Sequence, residues 1–148
     1  MGSTVLGSGF VMNPEEAAEI IERSAENRDV LFPFLIGADI NSDPLSRPSR
    51  WVINFHDWPL ERAMRYEECF QIILKKVKPE RERNNRKVYR DRWWQYAEKR
   101  PELVRVLKKM DKVMAIALTS NTLAFTFFPT DIVFSHATIV LAHDDYQH

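Results

Sequence analysis

The stretch KVMAIALTSNTLAFTFFPTDIVFSHATIVLA, residues 112–142, decides the fold class. It contains three runs that are rich in β-branched and aromatic residues, and polar or proline-containing breaks at residues 120–121 and 129–131 separate them. Such runs favour strands, while Ser, Asn, Pro and Asp are typical of the tight turns between strands. The stretch therefore predicts a C-terminal meander of three strands.

Helical signals precede this stretch at two places. Asn13 is a favourable N-cap residue and Pro14 suits the first helical position, so we expect a helix that runs to about Asn27. A second helix is expected after Pro59, because apolar residues recur there at helical spacing, and Pro79 should end or kink it. The residues of this apolar stripe are Tyr66, Phe70, Ile73, Leu74 and Val77.

The remaining segments complete an α+β pattern. Residues 50–55 have the composition of a strand, residues 37–49 that of a structured loop, and Pro101 marks a further helix start. A chain of 148 residues with 45% hydrophobic content can bury one core but is short for two. We therefore predict one α+β domain over residues 1–148, with amphipathic and basic helices packed on a small antiparallel or mixed sheet.

The charges are balanced overall but are segregated along the chain. The formal net charge is zero, yet residues 75–109 contain fourteen Lys and Arg against five Asp and Glu, a local net charge of +9. This segregation indicates a basic face that could contact phosphates. The alternative is a solvated helical surface on which acidic residues offset the basic ones.

The segment NNRKVYRDRWWQY, residues 84–96, combines four of these basic residues with four aromatic residues. If residues 83–96 form one helix, 100° per residue separates a basic face from an aromatic face, although Asn84 and Asn85 favour a helix that begins only there. The basic face, our candidate for phosphate contacts, contains Arg83, Arg86, Lys87, Arg90 and Trp94. The aromatic face, which we expect in the core, contains Tyr89, Trp93 and Tyr96. The alternatives are surface ion pairs for the arginines and a core position for Trp94 as well.

The sequence lacks the common motifs for nucleotide binding, for paired-cysteine sites and for metal binding by histidine pairs. The sequence has no G-x-G-x-x-G loop, no G-x-x-x-x-G-K-[ST] loop and no C-x-x-C pair, and its four histidines are scattered. Cys69 falls within a helical pattern, which favours a small, partly buried thiol over a nucleophile. We therefore expect no catalytic constellation and no metal site in this chain.

Nothing in the sequence indicates export or a membrane span. The longest apolar stretches are interrupted by Ser, Asn and Thr, and the start MGSTVLGSGF has no basic region before a long apolar one. A single cysteine excludes an internal disulfide and favours a reducing compartment. We expect a cytoplasmic protein.

Four longer motifs, in this order, resemble one known family. They are LFPFLIGADINSDP (31–44), SRWVINFHDWPLERA (49–63), KVKPERERNNRKVYRDRWWQY (76–96) and PTDIVFSHATIVL (129–141). Together they resemble the target-recognition region of MmeI-like Type IIG (IIL) restriction–modification enzymes, in which one chain carries an endonuclease, an N6-adenine DNA methyltransferase and a target-recognition domain. The resemblance extends from about Gly9 to Asp144.

The resemblance implies a DNA-recognition fragment that catalyses nothing itself. The expected partners are double-stranded DNA and the methyltransferase domain of the parent chain, in a bacterial cytoplasm. No cofactor is expected in this chain, whereas S-adenosylmethionine, and Mg for cleavage, are implied for the parent enzyme. Two other classes of function stay open: a protein-interaction module and a small enzyme with an unrecognised site.

The resemblance also implies a division of labour among the candidate residues. Because family members recognise different sites, a shared signature such as residues 84–96 should contact the DNA backbone or support the fold, while variable loops read bases. Hydroxyl and amide groups are adaptable base readers, and those we favour are Ser120, Asn121, Thr122, Ser135 and His136. Arg47 and Arg50 are secondary backbone candidates. The alternatives are a turn residue for Asn121 and a bulge residue with a satisfied imidazole for His136.

Overall fold

A computed structural model describes residues 1–43, 45–119 and 125–141. The chain divides into two compact units. We call Thr4–Phe32 with Arg50–Lys99 the helical unit, and Met1–Ser3, Pro33–Ser49 and Arg100–His148 the sheet unit. The expectation of a single domain over the whole chain stays a prediction.

The secondary structure alternates short helices and short strands. In chain order the helices are α1 (Pro14–Arg23), α2 (Gly37–Ser42), α3 (Leu60–Ala63), α4 (Glu67–Lys76), α5 (Lys78–Glu82), α6 (Lys87–Asp91) and α7 (Pro101–Leu107). The strands are β1 (Val11–Met12), β2 (Leu31–Leu35), β3 (Arg50–Ile53), β4 (Lys112–Ala117), β5 (Thr126–Pro129), β6 (Val133–Phe134) and β7 (Thr138–Leu141). Two 3-10 helices, Ser8–Phe10 and Ala25–Asp29, flank α1 and β1. The predicted α+β class is confirmed.

The strands form two small sheets. One has the order β1–β3–β2–β6 and is mixed, since β1 pairs antiparallel with β3 and β2 pairs parallel with β6. The other is antiparallel with the order β5–β4–β7, and Met114 lies opposite Phe127 on one side and Leu141 on the other. The three-stranded C-terminal sheet that the sequence predicts is therefore present, but β4 lies at its centre and the strands do not follow one another as in a meander.

A turn inside the last apolar run explains this difference. The Thr138 N–H and hydroxyl both donate to the Ser135 carbonyl oxygen, at 3.0 and 2.7 Å, and the Ser135 N–H donates to the Leu35 carbonyl oxygen at 2.9 Å. The run predicted as one strand therefore divides into β6, which joins β2, and β7, which joins β4. Ser and Thr side chains that bond the nearby backbone favour such a turn over a continuous strand.

The core of the sheet unit lies on one face of the β5–β4–β7 sheet. Phe128 and Phe134 meet edge to face, with ring centroids 6.0 Å apart. The buried residues of this cluster are Leu35, Leu107, Val113, Ala115, Phe128, Ile132 and Phe134. They come from distant parts of the chain, so this core forms only when residues 33–49 and 100–141 meet.

The helical unit begins as the sequence predicts. Asn13 caps α1, because its Oδ1 accepts the Glu16 N–H at 2.8 Å, and Pro14 occupies the first turn. The helix ends at Arg23, earlier than the predicted Asn27, and the chain continues as a 3-10 helix. The buried Asn27 side chain donates to the Ile20 carbonyl oxygen at 3.2 Å, which satisfies a carbonyl group of the last α-helical turn.

The helix predicted after Pro59 forms as two helices, α3 and α4, and its apolar stripe lies along α4 and the residues that cap it. Phe70, Ile73 and Val77 are buried, and α4 gives way to α5 beside Pro79, as predicted. Gly9 packs so closely on the end of α4 that an added Cβ would lie 2.6 Å from the Lys76 Cβ, so a larger residue would displace this contact.

The loop predicted over residues 37–49 is only partly a loop. Gly37–Ser42 forms α2, because the buried Asp39 carboxylate accepts the Ile36 N–H at 3.0 Å and so satisfies a donor ahead of the helix. The same carboxylate accepts the Ser49 N–H at 3.3 Å. No helix in the described ranges is long and apolar enough to cross a membrane.

The N-cap of α1 gives a direct test of this local structure. Replacing Asn13 by Ala leaves the Glu16 N–H without its side-chain acceptor, and we expect a loss of about 1 kcal/mol in the free energy of unfolding. Urea unfolding followed by circular dichroism measures it. Asn13→Asp keeps an acceptor and should retain nearly all of the stability, so equal stability of all three proteins would contradict the capping role.

Candidate nucleic-acid interface

Residues 83–92, here called the basic segment, follow α5 in the helical unit and carry five Lys and Arg residues against one Asp. The prediction of one helix over residues 83–96 is wrong, because helical structure is confined to α6. The Asn84 side chain accepts the Arg86 N–H at 2.9 Å and so forms a turn between α5 and α6. Asn competes with helical hydrogen bonds in this way, which is why the break falls here.

Two arginines of the basic segment are held by neighbours within the segment. Arg86 is exposed, donates through Nη1 to the Tyr89 hydroxyl at 2.9 Å, and has its guanidinium carbon 5.4 Å from the centre of the Tyr89 ring. Arg90 is half-buried and donates through Nη1 to the Asn84 carbonyl oxygen. A guanidinium group has five N–H donors, so one such bond orients the group without exhausting it. Both side chains are therefore oriented before any ligand binds.

The other two predicted basic residues are more exposed. Lys87 lies 3.9 Å from the Asp91 carboxylate, one helical turn away, and both side chains are largely solvent-exposed. Such a surface pair contributes little to stability and can exchange for a phosphate contact. Arg83 is exposed in the turn after α5. The predicted set of four basic residues thus lies within ten residues of chain, on the surface of one unit.

The aromatic residues that follow belong mainly to the core, as predicted. Trp93 and Tyr96 are buried, and the Tyr96 hydroxyl donates to the Ile53 carbonyl oxygen at 2.7 Å. Burial raises the pKa of the Tyr96 hydroxyl well above its ordinary value. Trp94 is half-buried, and its indole N–H donates to the Trp58 carbonyl oxygen at 2.9 Å. That donor is used inside the protein, so we leave Trp94 out of the proposed contact set.

Arg81 is the important residue that the sequence reasoning missed. The charge pattern places Arg81 among the surface charges, but its relative exposure is only 2%, and its guanidinium donates to backbone carbonyl oxygens. The signal that could have identified it is spacing, because Ile73, Val77 and Arg81 follow one another at intervals of four residues. Arg81 therefore continues the buried stripe that crosses α4.

The base-reading candidates belong to the sheet unit, and only some of them can be placed. Ser120, Asn121 and Thr122 lie outside the described residues. Their neighbour Thr119 accepts a hydrogen bond from the Asn41 side chain, at 2.9 Å, at the end of α2. The adjacent Leu118 N–H donates to the Ala137 carbonyl oxygen at 2.8 Å. The end of β4 is thus joined both to α2 and to the turn that contains His136.

The two candidates in that turn differ in accessibility. His136 is exposed, whereas Ser135 is buried, at 4% relative exposure, and its hydroxyl accepts the Ala137 N–H at 3.3 Å. The Ser135 side chain therefore supports the turn. We keep His136 as a base-reading candidate and leave Ser135 out of the proposal.

The two secondary candidates occupy different units. Arg47 lies in the loop after α2, where Asp43 accepts hydrogen bonds from the Leu45 N–H, the Arg47 N–H and the Arg47 Nε, all between 3.0 and 3.1 Å. These bonds, led by that from Leu45, lower the pKa of Asp43. Leu45 and Arg47 are therefore held by a charged carboxylate. Arg50 is exposed at the start of β3 in the helical unit.

The described residues contain no group of three or more His, Cys, Asp or Glu residues arranged to hold a metal ion. An open cleft of about 690 Å³ in the helical unit is lined by charges of both signs, and its Arg23 is bonded to Glu68 at 2.7 Å. Cys69 is fully buried, and its thiol lies 3.7 Å from the Asn27 Oδ1. None of these features combines a nucleophile with a base.

The fold is similar to part of a solved restriction–modification enzyme of Type IIL. That enzyme is MmeI, whose structure was determined in complex with DNA. The TM-score is 0.69 and the sequence identity is 16%, and the match covers 97% of this chain but only 19% of MmeI. At this identity the likeness establishes a shared fold. A scan of protein-family models found no match, and a search of curated protein sequences found no significant match.

The Cys69 thiol provides a test of burial in the helical unit. Burial raises the pKa of this thiol to about 12, so at pH 8 only roughly one thiol in ten thousand would be ionised. We expect negligible reaction with Ellman's reagent in native buffer and rapid reaction in urea. Stoichiometric reaction of the native protein within seconds would contradict this placement of Cys69.

Proposed function

We propose that this chain is a double-stranded DNA-binding module of the target-recognition kind, which acts for an adenine-specific DNA methyltransferase with restriction activity. The observation that carries the proposal is the basic segment, in which Arg86 and Arg90 are oriented by Tyr89 and Asn84. The fold shared with part of MmeI, a restriction–modification enzyme solved with DNA, supports it.

The chemistry of the segment suits phosphate in particular. A planar guanidinium can donate two parallel hydrogen bonds to phosphate oxygens, and an aromatic ring beside it limits its motion. In the proposal, Arg83, Arg86, Lys87 and Arg90 form the backbone-contact set. These contacts supply affinity and register but carry no sequence information.

The sheet unit would supply the sequence readout. The end of β4 is joined by hydrogen bonds to α2 and to the turn at His136. In the proposal, Asn121 and His136 donate to or accept from base edges in the major groove, and Ser120 and Thr122 are further candidates for such contacts. Arg47, in the loop after α2, and Arg50, at the start of β3, would be secondary phosphate contacts.

The proposal assigns no cofactor to this chain. S-adenosylmethionine and Mg would belong to the methyltransferase and nuclease parts of a longer parent enzyme. The chain itself would present DNA to that methyltransferase domain, its second partner. Its own affinity for DNA would then be modest, because the parent would hold the duplex from both sides.

The salt dependence of binding tests the backbone-contact set. Binding to a labelled duplex should weaken linearly in log affinity against log salt, and the Arg86→Ala/Arg90→Ala variant should bind at least about tenfold more weakly. The slope should fall by about 0.9 for each phosphate contact that is lost. Fluorescence anisotropy at several salt concentrations measures both quantities.

A matched variant controls for the loss of charge alone. Arg23→Ala/Arg28→Ala removes two positive charges from the same unit, at the end of α1 and in the following 3-10 helix. It should lower the affinity much less than Arg86→Ala/Arg90→Ala does. Equal losses in the two variants, or no duplex binding by the unaltered chain at low salt, would refute the proposal.

The division between backbone contacts and base readers makes a separate prediction. Replacing Asn121 or His136 by Ala should relax the preference at one base pair, since each good base contact contributes about 1–3 kcal/mol of discrimination. Selection from a randomised duplex library, followed by sequencing, measures the preference. Arg90→Ala serves as the control and should weaken all sequences alike. If Arg90→Ala instead altered the selected sequence while the other two variants did not, the assignment would be reversed.

A further inference from the structure

Arg81 carries a buried charge that the basic surface does not explain. Its Nε donates to the Leu6 carbonyl oxygen at 2.9 Å, and its Nη2 donates to the carbonyl oxygens of Val5 and Gln95, both at 3.0 Å. The salt bridges found among the described residues give it no carboxylate partner. Its positive charge is therefore compensated by backbone dipoles from two separate stretches of chain.

This arrangement requires each acceptor to stay in place. A buried ionised group costs several kcal/mol unless it is well hydrogen-bonded, and three charge-assisted bonds at or below 3.0 Å offset that cost. One acceptor comes from Leu6, which adopts the left-handed conformation with φ of 51° and so presents its carbonyl to the guanidinium. The backbone conformation of residues 5–6 is thus coupled to Arg81.

The bond to Gln95 closes a loop around the basic segment. Arg81 lies just before the segment and Gln95 just after it, so one side chain spans fourteen residues of sequence. On the far side, the Trp94 indole N–H and the Gln95 side-chain amide both donate to the Trp58 carbonyl oxygen, at 2.9 and 3.0 Å. Both ends of the basic segment are therefore attached to the core of the helical unit.

Arg81 also reaches into the middle of the basic segment. Its guanidinium carbon lies 5.6 Å from the centre of the Tyr89 ring, and the guanidinium carbon of Arg86 lies 5.4 Å from the centre of the same ring. The Tyr89 hydroxyl accepts the hydrogen bond from Arg86. Tyr89 is therefore the physical link between the buried cation and an exposed cation that faces solvent.

We propose that Arg81 is a positioning residue, which holds the basic segment in its DNA-binding conformation by fixing Gln95 and the Tyr89 ring. This inference rests on the proposed function. Arg81 itself touches no DNA. Loss of the Arg81 side chain would leave every exposed charge in place, but Arg86 and Arg90 would no longer be held in fixed orientations.

The Arg81→Lys variant separates geometry from charge. Lys keeps the positive charge, but its compact ammonium group lacks the planar fork that bonds three carbonyl oxygens and lies beside an aromatic ring. We expect duplex affinity to fall about tenfold with a smaller salt slope, because fewer phosphates are contacted at once. Hydrogen exchange of amides in residues 83–92 should accelerate, while exchange in α1 stays unchanged.

Tyr96→Phe, which removes a buried hydrogen bond to Ile53 in the same unit, is the control and should leave the affinity for DNA within about twofold of that of the unaltered chain.

A second variant covers the case in which Arg81→Lys does not fold. Tyr89→Leu removes the link between the two cations but keeps the buried bonds of Arg81, and it should lower affinity several-fold. Two results would overturn the positioning role. One is a folded Arg81→Lys variant that binds DNA as tightly as the unaltered chain. The other, which applies if Arg81→Lys does not fold, is a Tyr89→Leu variant that binds DNA as tightly as the unaltered chain. If the proposed function itself is wrong, the unaltered chain will not bind DNA. Hydrogen exchange would still report in that case whether Arg81 orders residues 83–92, so the two failures can be told apart.

Discussion

The buried guanidinium of Arg81 is the constraint on which the helical unit depends most. A cation removed from water must find hydrogen-bond acceptors, and here it finds them in residues 5 and 6 and in Gln95. These acceptors lie far apart in sequence, so the fold must bring both stretches to α5. Arg81 also lies just before the basic segment in sequence. It therefore connects the interior of the helical unit to the most basic part of its surface.

The two units solve different physical problems. The helical unit packs aromatic rings around α4, such as Phe70 against Trp93 with centroids 5.6 Å apart, and presents ordered cations at its surface. The sheet unit has a smaller aliphatic and phenylalanine core, and hydrogen bonds join the ends of α2 and β4 to the His136 turn. In the proposed function, the basic surface would contact phosphates and the loops of the sheet unit would read bases.

Features of the fold that depend on residues close together in sequence could be predicted, and features that depend on distant residues could not. The N-cap at Asn13, the helix start at Pro101 and the break at Pro79 rest on neighbouring residues, and all three are confirmed. The core positions of Trp93 and Tyr96 followed from their size and apolarity. Helical spacing failed over residues 83–96, because the Asn84 side chain bonds the Arg86 N–H and ends the helical pattern.

The sequence alone determined the α+β class and the charge segregation, since these depend on composition and local pattern, and it supplied the basic residues that we propose as backbone contacts. Only the tertiary structure decided which carbonyl oxygens the buried Arg81 bonds, that the Trp94 N–H is used by Trp58, and that the last apolar run divides between two sheets. Each of these outcomes depends on a hydrogen-bond acceptor distant in sequence. Local propensity cannot specify such a partner. The sequence around an Arg, a Trp or a Ser does not tell whether its N–H or O–H groups donate to water or to a buried carbonyl group.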